Sequence, residues 1–161
     1  MTQSPAMTTR NVTHATFTLR RTYRASPDQV FDAFADPEKK RVWSFGAPDG
    51  AHTLDFRVGG RENVRMPGPG GGAFTYEGVI QDIVENERLI YAYGFDMGGG
   101  PAGITLTTVE FAPADDGGAH LKFTEQGAYL DGFDGPKFWE SGTTSLLNRL
   151  GDFLAAESGN L

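Results

Sequence analysis

The sequence predicts an α+β domain in which a curved, seven-stranded antiparallel sheet wraps a long C-terminal helix, with two short helices after the first strand. Three observations carry this reading. Short runs of alternating apolar and polar residues, divided by Gly- and Asp-rich turns, recur between residues 51 and 126. A helical pattern closes the chain from Pro136 onward. A helix with one apolar stripe and a sheet with one apolar face must bury those faces against each other.

The elements follow in order. His14 to Arg24 alternates, with Phe17, Leu19 and Tyr23 on one face and Arg21 among them. Ser26-Pro27-Asp28 opens a helix, because Ser26 suits the N-cap and Pro27 the first helical position. Val30, Phe31 and Phe34 then form its buried stripe. Asp36-Pro37 breaks that helix and starts another through Trp43. Strands are expected at Ala51–Val58, Arg61–Met66, Ala73–Val84, Arg88–Asp96, Gly103–Phe111 and His120–Gln126, and Gly59-Gly60 marks a tight hairpin. In the last helix Trp139, Thr143, Leu146, Leu147, Leu150, Phe153 and Leu154 share helical spacing. Gly142 and Gly151 lower its propensity, and either a close approach to the sheet or a kink would explain them. Residues 14–157 read as one domain, residues 1–13 as a flexible leader and 158–161 as a tail.

Composition narrows the function. A chain of 161 residues buries a core without staples. The formal net charge is -7, and the 14 basic residues form no dense run. That disfavours nucleic acid and anionic membranes, which recruit clustered Lys and Arg. With no Cys, thiolate catalysis, disulfides and Cys-ligated metals are excluded. No apolar stretch is long enough to span a bilayer, and a cytoplasmic location fits these features. His14, His52 and His120 form no metal-binding spacing and are read as exposed strand histidines. No cofactor or metal is expected.

Several segments together resemble the helix-grip superfamily of START-like domains, also called SRPBCC, and within it the branch of activator of heat-shock-protein-90 ATPase homologues. They are the run Ala25 to Phe34, Asp36-Pro37 followed by Trp43, Asp55-Phe56-Arg57-Val58-Gly59-Gly60, Gly78-Val79-Ile80, and Glu87-Arg88-Leu89-Ile90. The resemblance covers roughly residues 14–156. It implies a cavity between sheet and last helix. One departure stands out. The family often carries a Gly-Trp pair in that helix, whereas here Gly142 is followed by Thr143 and Trp139 lies one turn earlier.

The aromatic residues are the strongest functional signal. Trp43, Phe56, Tyr76, Tyr91, Tyr93, Phe95, Phe123 and Trp139 are expected to line the cavity, and a tyrosine joins an apolar face to a hydroxyl handle. Arg21 and Glu125 both fall on inward parity, so an ion pair across neighbouring strands is open to them. Gly68 to Gly72 and Gly98 to Gly100 lack the Lys-Ser/Thr ending of a phosphate loop and read as loops bordering the cavity mouth. The expected partner is a small hydrophobic or aromatic molecule. Two alternatives stand beside it: a cyclase- or hydrolase-like enzyme using cavity Tyr, Arg and Glu groups, and a chaperone ATPase-activating cofactor working through its surface. Exposed strand edges permit a homodimer.

Overall fold

The computed structural model describes residues 10–133 and 135–159. Residues 1–9 of the expected leader and 160–161 of the expected tail lie outside the described residues. Strand β1 (Val12–Tyr23) is followed by α1 (Pro27–Ala35) and α2 (Pro37–Lys40), which runs on into one π-type turn, Arg41–Phe45. Then come β2 (His52–Leu54), β3 (Arg61–Pro67), β4 (Ala73–Val84), β5 (Arg88–Asp96), β6 (Pro101–Pro113), β7 (Ala119–Leu130) and α3 (Gly135–Gly159). The seven strands form one antiparallel sheet in the order β1-β7-β6-β5-β4-β3-β2. Pairing of the first strand with the last makes β1 and β2 the two edges.

Two boundaries differ from the sequence reading. The end of the expected leader is anchored, since Arg10 pairs with Asp131 at 2.8 Å and Asp131 N–H donates to the carbonyl of Asn11. The expected strand Ala51–Val58 is cut to His52–Leu54. The chain folds back at Asp55, and Gly60 passes so close that a Cβ there would lie 1.9 Å from the Asp55 carbonyl oxygen. Only a glycine fits that crossing, and Phe56 is left in the loop.

Local chemistry explains the helices. The Ser26 backbone N–H donates to Gln29 Oε1 at 2.9 Å, half of a capping box, and Pro27 occupies the first turn. Val30, Phe31, Ala33 and Phe34 are buried, with Phe31 edge-on to Phe111 and Phe34 edge-on to Trp43. Trp43 donates its indole N–H to the Ala33 carbonyl at 2.7 Å, which fastens the π-type turn under α1. Helix α3 lays Leu147, Leu150 and Leu154 on the sheet. The Tyr23 hydroxyl donates to the Leu147 carbonyl at 2.9 Å. Gly151 gives the expected close approach, with Tyr23 3.3 Å from the place of a Cβ. Gly142 does not, for nothing lies within 4 Å of its Cβ position. There the missing side chain leaves space open rather than allowing contact.

Candidate functional site

That space belongs to a cavity of about 180 Å³ between the inner face of the sheet, the π-type turn and the first half of α3. Its aromatic wall is Trp43, Phe45, Phe74, Tyr76, Tyr91, Tyr93, Phe123 and Trp139. Leu146, Gly142 and Thr143 close it from α3, and Lys40, Ser44, Glu125 and Arg149 are its remaining polar members. The strand period places these side chains: Tyr91 and Tyr93 are alternate residues of β5, and Phe123 and Glu125 alternate residues of β7. Tyr76 stacks on Tyr93 with ring centroids 4.4 Å apart. Trp139 stacks on Phe95 at 3.8 Å and 7°.

Of the residues expected at the cavity, Trp43, Tyr76, Tyr91, Tyr93, Phe123, Trp139 and Glu125 meet there. Phe95 stands behind Trp139 and supports it. Phe56 packs on Phe31 at 5.7 Å, away from the cavity, because its strand ends early. Arg21 does keep the parity of Phe17 and Leu19, but it forms no pair with Glu125. Arg21 sits opposite Leu121 and Phe17 opposite Glu125, a displacement of four residues or about 13 Å along the strand. The Arg21 guanidinium instead donates to the Arg20 carbonyl at 2.9 Å on the sheet edge.

Glu125 is 1% exposed and lies in a nest of hydroxyls. Its Oε1 accepts from Tyr93 Oη, from Thr107 Oγ1 at 2.9 Å and from Thr105 Oγ1 at 3.3 Å. Trp139 Nε1–H in turn donates to Tyr93 Oη at 2.6 Å, so α3 is tied to Glu125 through one phenol. Oε2 has no partner. Burial raises the Glu125 pKa above the ordinary carboxylate value, and the hydrogen bonds from Tyr93, Thr107 and Thr105 only partly oppose it. Burial likewise pushes Tyr76, Tyr91 and Tyr93 far up, with the nearby glutamates adding to the shift. The phenols are therefore neutral donors, not phenolate nucleophiles.

A second buried cluster was not anticipated. His52, expected to be an exposed strand histidine, has a fully buried side chain, and its Nε2 lies 2.7 Å from Glu62 Oε2. The Lys40 ammonium lies 2.7 Å from Glu62 Oε1 and stands over the Tyr91 ring at 5.0 Å. Burial would raise the Glu62 pKa, but the Lys40 charge and the His52 hydrogen bond overcome it and hold the carboxylate below its ordinary value. His14 and His120 are exposed as expected. Glu62 shares parity with Val64 on β3, a signal present in the sequence, whereas nothing local brings Lys40 or His52 to it.

An outer depression shares Ser44, Phe45, Phe74 and Arg149 with the cavity and adds Met66, Gly68 and Met97. The two Gly-rich loops meet beside this depression: a Cβ on Gly72 would lie 2.8 Å from Gly98 Cα. Arg149 donates to the Ser44 carbonyl at 2.7 Å and to the Trp43 carbonyl at 3.3 Å, closing the end of the π-type turn. Among the described residues, no three His, Asp or Glu side chains converge as a metal ion would require, and no helix is long and apolar enough to cross a membrane.

A seven-stranded antiparallel sheet gripping one long helix, with space left between them, defines the helix-grip class of domains. Within that class the chain belongs to the family described as Activator of Hsp90 ATPase homolog 1-like protein, which it matches over residues 24–157. It is similar to a solved protein of Rhizobium leguminosarum, at 36% identity and a TM-score of 0.86, over 92% of this chain and 99% of that one. It is also similar to the Mll3558 protein of Rhizobium loti, at 45% identity and a TM-score of 0.82, over 89% and 99%. DynU16, a protein of the dynemicin biosynthetic locus, shares the fold at 18% identity and a TM-score of 0.65, over 87% of this chain and 47% of that one. No curated protein matches the chain.

Proposed function

We propose that this protein binds a small hydrophobic or aromatic molecule in the cavity between sheet and C-terminal helix. The observation that carries the reading is the lining: eight aromatic side chains around about 180 Å³ of unfilled space. Protein interiors are close-packed, so a void of this size inside an otherwise tight aromatic core calls for an occupant. Its volume slightly exceeds the roughly 150 Å³ that suffices for a benzene-sized guest. The ligand is therefore about one ring with a small substituent. The neutral phenols supply hydrogen-bond donors, and burial biases Glu125 toward its protonated form, so the wall holds no activated nucleophile, which favours binding over hydrolysis.

Fluorescence offers a local test. Both tryptophans of the chain, Trp43 and Trp139, line the cavity. Titration with single-ring aromatics is expected to change their emission saturably. At 100 times its dissociation constant a ligand stabilises the fold by about 2.7 kcal/mol, a rise in melting temperature of roughly 5–10 °C for a domain of this size. A panel of such compounds that leaves both emission and melting unchanged would overturn the reading.

A further inference from the structure

We propose that Glu125 is the polar anchor of the cavity, and that the ligand is a compact, uncharged aryl carbonyl compound whose oxygen accepts a hydrogen bond from the Glu125 carboxyl. The inference rests on the cavity being the binding site and adds the chemistry that the site selects.

The argument is an account of polar capacity. Ser44 Oγ donates to the Lys40 carbonyl, and Thr143 Oγ1 donates to the Trp139 carbonyl at 2.9 Å. Trp139 Nε1–H is committed to Tyr93, and Tyr93 O–H to Glu125. The Lys40 charge is matched by Glu62. Arg149 is exposed at the rim and already holds two backbone carbonyls. Among the fully buried polar atoms of the cavity wall, Glu125 Oε2 is the one left without a hydrogen-bond partner. Buried polar atoms are nearly always paired, so a lone one in the wall of a void has a partner missing.

The identity of that partner follows from the other oxygen. Three hydroxyls already donate to Oε1, so the carboxyl proton sits on Oε2. Burial favours the protonated form by raising the pKa above the ordinary carboxylate value. Oε2–H is therefore a donor, and its complement is an acceptor. The last torsion of a glutamate is soft, so a small turn of the carboxyl presents Oε2 to the cavity without moving the backbone. An aromatic ring among the tyrosines with a carbonyl at Glu125 meets both demands. An anionic ligand does not, because the cavity interior offers only neutral donors and holds no unmatched cation.

The test compares acetophenone with isopropylbenzene, an apolar probe of similar size with a methyl group in place of the oxygen, on the full chain. Tryptophan quenching gives the affinities, and infrared spectroscopy of bound acetophenone reads the carbonyl stretch. Glu125→Leu is expected to weaken acetophenone up to about ten-fold, the worth of one hydrogen bond, while isopropylbenzene is not weakened. Glu125→Gln keeps an N–H donor at the same place and an acceptor for the hydroxyls. It guards against loss of folding in the leucine variant, and it should hold acetophenone within about three-fold of wild type. The carbonyl band should move to lower frequency on binding to wild type and to the glutamine variant. If both probes quench but neither the variants nor the band respond, the anchor is overturned and the cavity reading survives. Benzoate binding more tightly than acetophenone would overturn the uncharged class. Silence with every probe removes both readings.

Discussion

Two glutamates on the inner face of the same sheet meet opposite fates. Glu62 on β3 and Glu125 on β7 are 4% and 1% exposed, so burial does not distinguish them. Glu62 has one basic partner on each oxygen, Lys40 and His52, and its pKa is held down. Glu125 has only hydroxyl donors, all on one oxygen, and its pKa goes up. A full opposite charge repays the desolvation of a carboxylate, and neutral dipoles here do not. The sheet thus carries an ionic clamp at one end and an acid of raised pKa at the other, with the aromatic cavity between Lys40 and Glu125.

Breaking the clamp gives the largest expected effect. Lys40→Met leaves Glu62 buried with one partner and should cost about 3–5 kcal/mol in urea unfolding. Adding Glu62→Gln to that variant should recover part of the loss, since the stranded charge is gone. A cost below 1 kcal/mol for Lys40→Met would mean that Glu62 takes up a proton, and would erase the contrast.

The pH dependence sharpens the comparison. Glu125 binds its proton more tightly folded than unfolded. Its contribution is complete below the ordinary carboxylate pKa and declines as pH rises toward the raised folded value. Glu62 has the reverse sign: its contribution is present above the ordinary value and is lost as pH falls through the lowered folded value. Glu125→Gln removes the first term alone. Relative to wild type it should gain stability as pH rises above the ordinary carboxylate value, at up to about 1.4 kcal/mol per pH unit within the titrating window. A constant difference across that range would show Glu125 to be ionised.

The smallest effect tests the link from α3 to the acid. Trp139→Phe keeps a ring over Phe95 and removes the N–H that reaches Tyr93. A loss of about 0.5–1.5 kcal/mol is expected, because one buried hydrogen bond disappears and the packing stays. A loss near that of Lys40→Met would place Trp139 in the core proper.

Sequence alone determined the element order, the antiparallel sheet, the long closing helix and the inward parity of Tyr91, Tyr93, Phe123 and Glu125. These are local consequences of period 2 and period 3.6, and each is written in consecutive residues. The family resemblance held for the same reason, since its motifs are turns, caps and strand pairs. Only the tertiary structure decided which inward residues share a space. Register put Arg21 four residues out of reach of Glu125. A backbone crossing at Gly60 took Phe56 out of the wall. The second helix, the short edge strand β2 and strand β3 brought Lys40, His52 and Glu62 together across 22 residues. Parity says which face a side chain takes. Distance, partners and therefore charge state depend on how the elements are stacked, and no local pattern contains that information.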